Sequence, residues 1–561
     1  MIRRIIPYFL FLLLTASSCE KMPADIQLDE LNDKGEYTGG ISVSVEEYEG
    51  YPVSELLVNG ERLNTDTPLE LHDAGFYTLQ VGYTTENSRV QKTIRIVILD
   101  QDRGIAEWGL KKWTPKNAVY QKQPGKITLV QPAEYPEGVA IPVIFIAGDS
   151  ITQTLANLHV EVGGSTFNIK NGIGSWLFSH EELNENLRIG DQEGFAISSV
   201  RSGQSPEILR GDLSGDVITL EQSMFRITGD LNIPSHATLV IEQGVFITVN
   251  PGVNIYNQGN IIINGTPEAP VTITCSEPGQ FWGGFISTGE GNAIRAENTI
   301  FCQSGYHTGD NYSYGHAKRQ ALFYMQNGNL ELHHCYMTDH AGQVFYPVSS
   351  SVEITGCLVQ RAKTGGQVNQ SELVIRNSVF TDFPDDHPTY QDEDNDGLYI
   401  MGSNAIIDHS FFMYAKDDGI DSGGSEGGTI RVTNSHFEAA FHEGAALSSG
   451  GTVIKNHTFF KCTFVNCGQG IELGYSSPNH QVSVDSCTFT GNGIGIRYGD
   501  NYTSQHEGTM SVTNSFSINN FDRDVWNMVR NSWEADTAKM QFNNVTVSEP
   551  YDIYPELNIN E

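Results

Sequence analysis

The chain has 561 residues, too many for one ordinary hydrophobic core, so several domains are expected. Its formal net charge of −35 argues against nucleic acid as a partner, because phosphate binding needs basic patches. An anionic polymer would also be repelled, unless a cation bridged it to the protein. Short apolar runs bounded by glycine, asparagine and proline recur along the chain, and no long segment has an apolar stripe of helical period. This pattern predicts an all-β protein.

The N-terminus has the features of an export signal. Two arginines precede an apolar segment at residues 5–14, which is too short to span a bilayer. Residues 16–19, Ala-Ser-Ser-Cys, resemble a lipobox, and the charged residues that follow resemble the starts of surface lipoproteins from Bacteroides-like bacteria. We therefore predict a lipoprotein signal peptide at 1–18, a lipid anchor on Cys19 and a linker at 19–25. The expected location is the outer membrane, facing the cell exterior; an ordinary cleaved signal is the alternative.

Two segments that precede the main repeat have the character of β-sandwiches. Polar and apolar residues alternate at 41–45 and again at 79–83. Residues 73–77, Asp-Ala-Gly-Phe-Tyr, resemble the Asp-x-Gly-x-Tyr corner of immunoglobulin-like domains. We predict an immunoglobulin-like sandwich at 26–101, acting as a spacer or binding carbohydrate. Further candidate strands predict a second sandwich at 102–205.

A short phrase then returns many times: a polar residue, a small residue, and apolar or aromatic residues. The small residues that anchor its copies are Thr299, Cys335, Cys357, Ser378, Ser410, Ser435, Cys462, Cys487 and Ser515. Their spacing of 21 to 36 residues suits a β-solenoid with occasional insertions. The phrase resembles the coils of pectin-lyase-like proteins, which implies a right-handed parallel β-helix at 206–549 and a tail at 550–561. The anchor cysteines are predicted to be stacked interior side chains rather than disulfides.

A second phrase, built around a glycine, follows most of the later anchors by eight or nine residues. The glycine indicates a turn that only this residue fits. Stacking the copies predicts one column of Asp396, Asp418 and Glu443, and a second column of Tyr399, Asp421, Ala446, Glu472 and Arg497. Like charges stacked at roughly 4.8 Å repel each other when partly desolvated. A cation, protonation of some carboxylates, or solvent must offset that repulsion.

The neighbouring insertion favours the cation. Residues 392–397, Asp-Glu-Asp-Asn-Asp-Gly, match the Asp-x-Asp-x-Asp-Gly start of a calcium loop, in which alternate carboxylates turn inward. The twelfth position is Ser403 instead of glutamate, so the next coil would have to complete the site. We predict calcium held by Asp392, Asp394, Asp396, Asp417, Asp418 and Asp421. A solvated acidic turn is the alternative.

Residues 417–421, with an acidic residue one coil earlier, also resemble the calcium site of family 9 pectate lyases. That resemblance implies calcium that offsets the substrate charge, while a lysine on a later coil removes the proton α to a uronate carboxylate. The matching later positions are Ala446, Glu472 and Arg497, and none is a lysine. In a lyase, Arg497 would bind the uronate. In a hydrolase, Asp421 and Glu472 would form the acid/base pair.

Two insertions rich in tyrosine and histidine, at 306–316 and 385–390, are predicted to overhang the acidic columns and form a groove. The predicted substrate-binding residues are Tyr306, Tyr312, Tyr314, His316, His387, Tyr390, Tyr399, His442, Glu443 and Arg497. Alternatively, these loops merely pack over the flank of the coils.

Three functions remain open on the sequence. The first is a surface lipoprotein that binds polysaccharide through a calcium-dependent acidic groove. The second is a lyase or hydrolase acting on a uronate-containing glycan, with Asp421, Glu472 and Arg497 as catalytic candidates. The third is a structural or adhesive surface protein.

Overall fold

A computed structural model describes the chain from the first sandwich to the end of the helix, with gaps. The described residues are 26–27, 36–38, 41–45, 51–58, 61–64, 68–72, 75–84, 89–99, 120, 122–162, 165–182, 187–190, 192–195, 200–201, 203–221, 223–307, 309, 312–384, 393–500, 502–520, 523–529, 532–533 and 539–548. The predicted signal peptide, Cys19, the linker and the tail lie outside these residues. So do His387, Tyr390 and Asp392.

The larger part of the protein is a right-handed parallel β-helix, which confirms the predicted fold class. Each coil contributes three strands in chain order, one to each of three parallel sheets that we call C, A and B. Sheet A begins just after the anchor residue, sheet B begins within the glycine phrase, and sheet C closes the coil. The strands Glu207–Asp212 and Met224–Ile233 open the helix and run along both sheets A and B.

Sheet A comprises Phe246–Val249, Val271–Cys275, Thr299–Cys302, Tyr336–Thr338, Leu358–Gln360, Val379–Phe383, Phe411–Ala415, His436–Glu438, Thr463–Val465, Thr488–Thr490, Phe516–Ile518 and Thr546–Val547. Sheet B comprises Ile255–Asn257, Phe285–Ser287, Arg319–Gln326, Gln343–Val348, Thr364–Asn369, Leu398–Met401, Ile420–Ser422, Glu443–Leu447, Gln469–Leu473, Ile494–Tyr498 and Arg523–Val529. Sheet C comprises Val217–Leu220, Thr238–Glu242, Asn260–Asn264, Ala293–Glu297, Asn329–His333, Ser351–Thr355, Glu372–Arg376, Asn404–Asp408, Gly428–Thr433, Lys455–Phe460, His480–Asp485, Thr509–Thr513 and Met540–Asn543. Two short strands, Ser313–Tyr314 and Ser532–Trp533, pair antiparallel with strands of sheet B.

Identical positions of successive coils stack inside the helix. Phe437 lies between Phe412 and Phe464, with ring centroids 5.4 and 4.6 Å away and nearly parallel planes. Each such aromatic pair contributes about 0.5–1.5 kcal/mol beyond the burial of its area. The anchor residues form a second interior stack, in which the backbone N–H of Cys335 donates to Sγ of Cys357 at 3.3 Å. All seven cysteines of the described residues are free and buried, which confirms the prediction of interior thiols without disulfides.

The N-terminal residues form separate small sheets. The first unit has one sheet of Ile26–Gln27, Ile41–Val45 and Leu69–Leu71, and another of Glu36–Thr38, Arg89–Leu99, Gly75–Thr84, Val53–Val58 and Glu61–Leu63. The second unit has sheets of Ile127–Val130, Ile141–Ala147 and Ile173–Phe178, of Leu158–Val162, Ser165–Ile169, Leu187–Ile189 and Gln192–Phe195, and of Glu134–Tyr135 and Val200–Arg201. A short 3-10 turn spans Lys170–Gly172. Among the described residues, no helix is long and apolar enough to cross a membrane.

The second unit packs on the outer face of sheet A. Its side chains Val130, Ile144 and Ile173 bury outward-facing apolar residues of that sheet, including Leu358 and Val379. Burial of this apolar surface supplies most of the attraction between the two parts. The predicted second sandwich is therefore fixed to the helix, and it covers sheet A rather than sheet B.

Polar contacts complete this interface. Lys170 Nζ lies 2.5 Å from Oδ1 of Asp382, whose side chain is only 2% exposed. Gln360 donates to the other oxygen of Asp382 at 2.9 Å and accepts the backbone N–H of Ser175, also at 2.9 Å. The buried carboxylate is thus fully satisfied, as buried charges must be.

Candidate functional site

The second predicted column lies on the outer face of sheet B. Tyr399 is in register with Asp421, Asp421 with Ala446, Ala446 with Glu472, and Glu472 with Arg497. Neighbouring strands of a sheet are about 4.8 Å apart, so Asp421 and Glu472 are separated by two such steps. The predicted alignment of these coils is therefore confirmed.

The first predicted column lines the turn between sheets A and B. The backbone N–H of Asp418 donates to Oδ1 of Asp396 at 3.3 Å, and the N–H of Glu443 donates to Oδ1 of Asp418 at 2.8 Å. Gln469 continues the series by donating its side-chain amide to Glu443. Asp396 and Asp418 therefore hold the backbone of the following coil, and Glu443 holds a side chain of the next one, which places the carboxyls of successive coils close together.

The glycine shared by these turns is required by close packing. A Cβ on Gly419 would lie 2.6 Å from the carbonyl oxygen of Gly444 and 3.2 Å from the ring of Phe437. Gly397 and Gly470 are confined in the same way by the next coil and a phenylalanine ring. The stacked coils, and not a left-handed turn conformation, thus explain why only glycine fits here.

Three side chains near these turns lie close enough together that they could hold a metal ion. Ligand atoms of Asp417, Asp418 and His442 all lie within 4.8 Å of one another. His442 Nδ1 is 3.3 Å from Asp417 Oδ1 and 3.5 Å from Asp418 Oδ1, and it also contacts the carboxylate of Glu443. The side chain of His442 is 20% exposed, so the cluster reaches the surface.

The electrostatics of the cluster reflect crowded negative charge. Burial, together with the neighbouring carboxylates, raises the pKa of Asp396, Asp418 and Glu443 well above their ordinary values. Burial also raises the pKa of Asp421 to about 7. Burial alone would lower the pKa of His442, but the hydrogen bond to Asp417 and the charge of Asp418 raise it. These acids would therefore ionise readily only beside an added positive charge.

The predicted calcium ligands divide into two groups. Asp417 and Asp418 belong to the cluster that can hold a cation. Asp394 instead pairs with His316 at 3.2 Å, and Asp396 accepts the backbone N–H of Asp418. Asp421 lies on the adjoining strand of sheet B. In the described part of the loop at 392–397, the carboxylates of Asp394 and Asp396 therefore contact different groups.

Glu472 and Arg497 form a buried ion pair beyond the acidic cluster. Arg497 Nη1 lies 2.8 Å from Glu472 Oε2 and donates to Oε1 of Gln469 at 3.3 Å. The two side chains are only 11% and 6% exposed. Arg497, predicted to bind substrate, is thus engaged by groups of the protein itself.

One cation near the site was not expected from the sequence. Lys455 Nζ donates to the carbonyl oxygens of Gly423 at 2.7 Å and Ser448 at 2.9 Å. Burial lowers the pKa of Lys455 to about 8, opposed by the charges of Asp421 and Glu426. Lys455 begins a strand of sheet C outside the glycine phrase, and the signal for its inward direction is the alternation that puts it on the same face as the buried Phe459.

The first predicted insertion does reach the outer face of sheet B. The ring of His316 packs on Tyr399 with centroids 4.1 Å apart. Tyr312 and Tyr314 pack on Tyr324 at 5.4 and 5.6 Å. Tyr306 is exposed. The predicted contact between this loop and the acidic columns is therefore present at His316.

Known proteins share the β-helix. Residues 211–318 match the family described as "Pectate-lyase like beta helix domain", and residues 386–517 match the family described as "Right handed beta helix region". A solved structure of the periplasmic alginate epimerase AlgG is 11% identical to this chain, with a TM-score of 0.40. That match covers 60% of this chain and 79% of the epimerase chain. A comparison with curated proteins found no match.

Proposed function

We propose that the outer face of sheet B binds a polysaccharide, and that a divalent cation bound at the cluster of Asp417, Asp418 and His442 contributes to the binding. The observation that carries this proposal is the convergence of these three side chains within 4.8 Å at the surface. The protein carries a formal net charge of −35, so a cation would offset the repulsion of an acidic sugar. The description of one matched family as pectate-lyase like supports a polysaccharide as the ligand.

We propose calcium as the ion. Asp417 and Asp418 supply the carboxylate oxygens that calcium prefers, and a sugar carboxylate and water would supply others. His442 would then remain a hydrogen-bond partner of the carboxylates. If His442 is itself a ligand, its nitrogen favours manganese or zinc over calcium. Calorimetric titration of the full chain with calcium, manganese and zinc distinguishes these arrangements.

The binding experiment uses immobilised polygalacturonate and alginate. Wild-type protein should be retained in calcium and released by chelator, whereas Asp418→Asn should be retained at least about tenfold more weakly, because one ligand carboxylate is lost. Asp485→Asn is the matched control, since Asp485 is an acidic residue of sheet C that bonds Asn514. Equal retention with and without calcium would contradict the cation's role.

A second candidate function is hydrolysis of the bound polymer. Asp421, with its pKa raised by burial to about 7, suits a general acid, while Glu472 is paired with Arg497 as an ionised carboxylate would be. Their backbones are two strand steps apart, about 9.6 Å, and the separation of their carboxyl groups would decide between an inverting and a retaining reaction. New reducing ends that vanish in both Asp421→Asn and Glu472→Gln would establish this activity.

A lyase has less support. The base that the pectate lyase resemblance implies is a lysine, and Lys455 is the buried lysine beside Asp421. Its ammonium group donates to two backbone carbonyls, and a lysine in this protonated form cannot take a proton from a substrate. Ultraviolet absorbance of unsaturated product on polyuronides, with calcium and then with chelator, tests this reaction. A calcium-dependent rise would show that Lys455 or another base is available.

The location at the outer surface of the outer membrane is also proposed, through a lipid on Cys19. Mass spectrometry of the N-terminal peptide from the native host tests the lipid, and protease treatment of intact cells tests the exposure. A purely structural or adhesive role remains the alternative; it predicts neither retention on soluble glycans nor new chain ends.

A further inference from the structure

The outer face of sheet B changes character along the helix axis. One row of outward side chains runs through successive coils in the order Tyr256, Ile286, Tyr324, Tyr346, Gln367, Tyr399, Asp421, Ala446, Glu472, Arg497 and Trp526. The first six positions of this row carry no charged side chain. From Asp421 onward the row carries two acids and an arginine, and the acidic cluster lies beside it.

The uncharged half presents a group of tyrosine rings. Tyr324 and Tyr346 stack with centroids 5.9 Å apart and an angle of 10° between their planes. Tyr314, from the loop after Cys302, lies nearly parallel to Tyr346 at 5.7 Å and is 42% exposed. Tyr312 bridges from this loop to Tyr256 at 6.2 Å. We call these five tyrosines the tyrosine platform.

Neutral amides surround the platform. Gln343 donates to the backbone carbonyl of Tyr314 at 3.0 Å, and Gln367 accepts the backbone N–H of His316 at 2.9 Å. The side-chain amide of Gln367 also donates to Oδ1 of Asn369, in the same strand, at 2.6 Å. The loop that carries Tyr314 is thus fixed to sheet B, so its ring is held in place before any ligand arrives.

We infer that the tyrosine platform binds the uncharged sugar units of a polysaccharide, and that the acidic sugar units of the same polysaccharide bind at the cluster of Asp417, Asp418 and His442. This inference rests on the proposed function and names its substrate class: a chain that contains both neutral and acidic sugars. The C–H face of a pyranose ring packs on an aromatic ring, and its hydroxyls can bond to the phenol and amide groups around it. The platform is built on the first positions of this row and the cluster lies beside the later ones, so one extended chain can contact both.

Charge argues against an acidic sugar at the platform. The row from Tyr256 to Tyr399 contains no basic residue and no carboxylate pair to hold a cation. Arg319, which pairs with Tyr314, would offset only a small part of the overall charge of −35 that an acidic sugar would meet there. A neutral sugar avoids that repulsion while still covering the rings.

The test uses the full chain and two sets of probes. The first set is neutral oligosaccharides of glucan, mannan, xylan and galactan; the second is oligomers of polygalacturonate and alginate. Tyr314→Ala removes an exposed ring, and Tyr346→Leu keeps apolar volume while removing its aromatic face. Phe516→Ala is the control, because Phe516 is an aromatic residue of sheet A that is 50% exposed. Thermal melting establishes that each variant is folded.

We expect at least one neutral oligosaccharide to bind without calcium and to weaken about three- to tenfold in each tyrosine variant, as loss of one aromatic contact predicts, but not in Phe516→Ala. Calcium-dependent binding of polyuronides with no binding of any neutral sugar would overturn this inference and leave the proposed function intact. Binding of neither set would overturn both. A change from dimer to monomer in the tyrosine variants would assign the platform to a second copy of the chain and also overturn the inference.

Discussion

Asp418 accepts the backbone N–H of Glu443 from the next coil at 2.8 Å, although both carboxyls are buried beside other acids. The oxygen that accepts this bond also lies 3.5 Å from Nδ1 of His442, so the bond holds Asp418 within the cluster of Asp417, Asp418 and His442. Backbone hydrogen bonds thus hold together charges that would otherwise separate. A cation that enters the cluster relieves their repulsion.

Removing one of these charges should stabilise the protein in chelator. Asp418→Asn removes the cost of burying an acid beside Asp417 and Glu443, while the amide oxygen can still accept the N–H of Glu443. We expect a higher midpoint of thermal unfolding than wild type in chelator, and a smaller increase on addition of calcium. Scanning calorimetry measures both. A variant that melts below wild type in chelator would show that the contacts of the Asp418 carboxylate stabilise the fold by more than its repulsion destabilises it.

The stability of the metal-free protein should fall as the pH rises. Burial raises the pKa of Asp421 from 3.8 to about 7 in the folded state, so the folded protein binds more protons than the unfolded chain in this window. Stability from this group is therefore fully present below pH 3.8 and is lost as the pH passes 7. Urea unfolding between pH 5 and pH 8, in chelator, measures the loss. Asp421→Asn should show a flatter dependence, and an identical slope would contradict the assignment.

Gly419→Ala should disturb the turn that carries the acidic cluster. Its Cβ would meet the carbonyl of Gly444 at 2.6 Å, and backbone atoms cannot move aside cheaply. We expect a loss of about 1–3 kcal/mol in the free energy of unfolding, together with weaker cation binding. Gly203→Ala is the control, because a Cβ there meets nothing within 4 Å. Equal stability of the two variants would mean that the coils can separate to admit the methyl group.

Lys170→Met should loosen the second sandwich from the helix. The change leaves the carboxylate of Asp382 buried without its cation, which costs about 3 kcal/mol or more. Adding Asp382→Asn to the same chain should recover part of that loss. Arg295→Ala breaks the exposed pair with Glu297 and should cost less than about 1 kcal/mol. Urea unfolding and limited proteolysis measure these differences; equal effects at the two pairs would show that the interface is not tightly packed.

The fold was predictable because stacking forces like positions to repeat. The small residue before sheet A and the glycine before sheet B recur at coil spacing, and this alone aligned Tyr399, Asp421 and Glu472 correctly. Side-chain direction within a turn follows no such period. The sequence therefore could not show that Asp394 turns to His316.

The burial of the outer face of sheet A under the second unit was also not predicted, although the repeat contains a signal for it. After the anchor Cys357, both Leu358 and Val359 are apolar and buried, yet alternate residues of a strand face opposite sides. Val359 lies in the helix interior, and Leu358 lies under the second sandwich. Apolar residues at both positions thus indicated a sheet buried on two faces.

The regular rise of the coils fixes the distances between side chains along the row on sheet B. Four strand steps separate Tyr346 from Ala446, and each step is fixed at about 4.8 Å by backbone hydrogen bonds. Insertion or loss of one whole coil between these residues would change the distance between them by one step without altering the structure around either residue. The distance between two sites could thereby be adjusted to the repeat length of a polymer by duplication of coils, independently of the chemistry at each site.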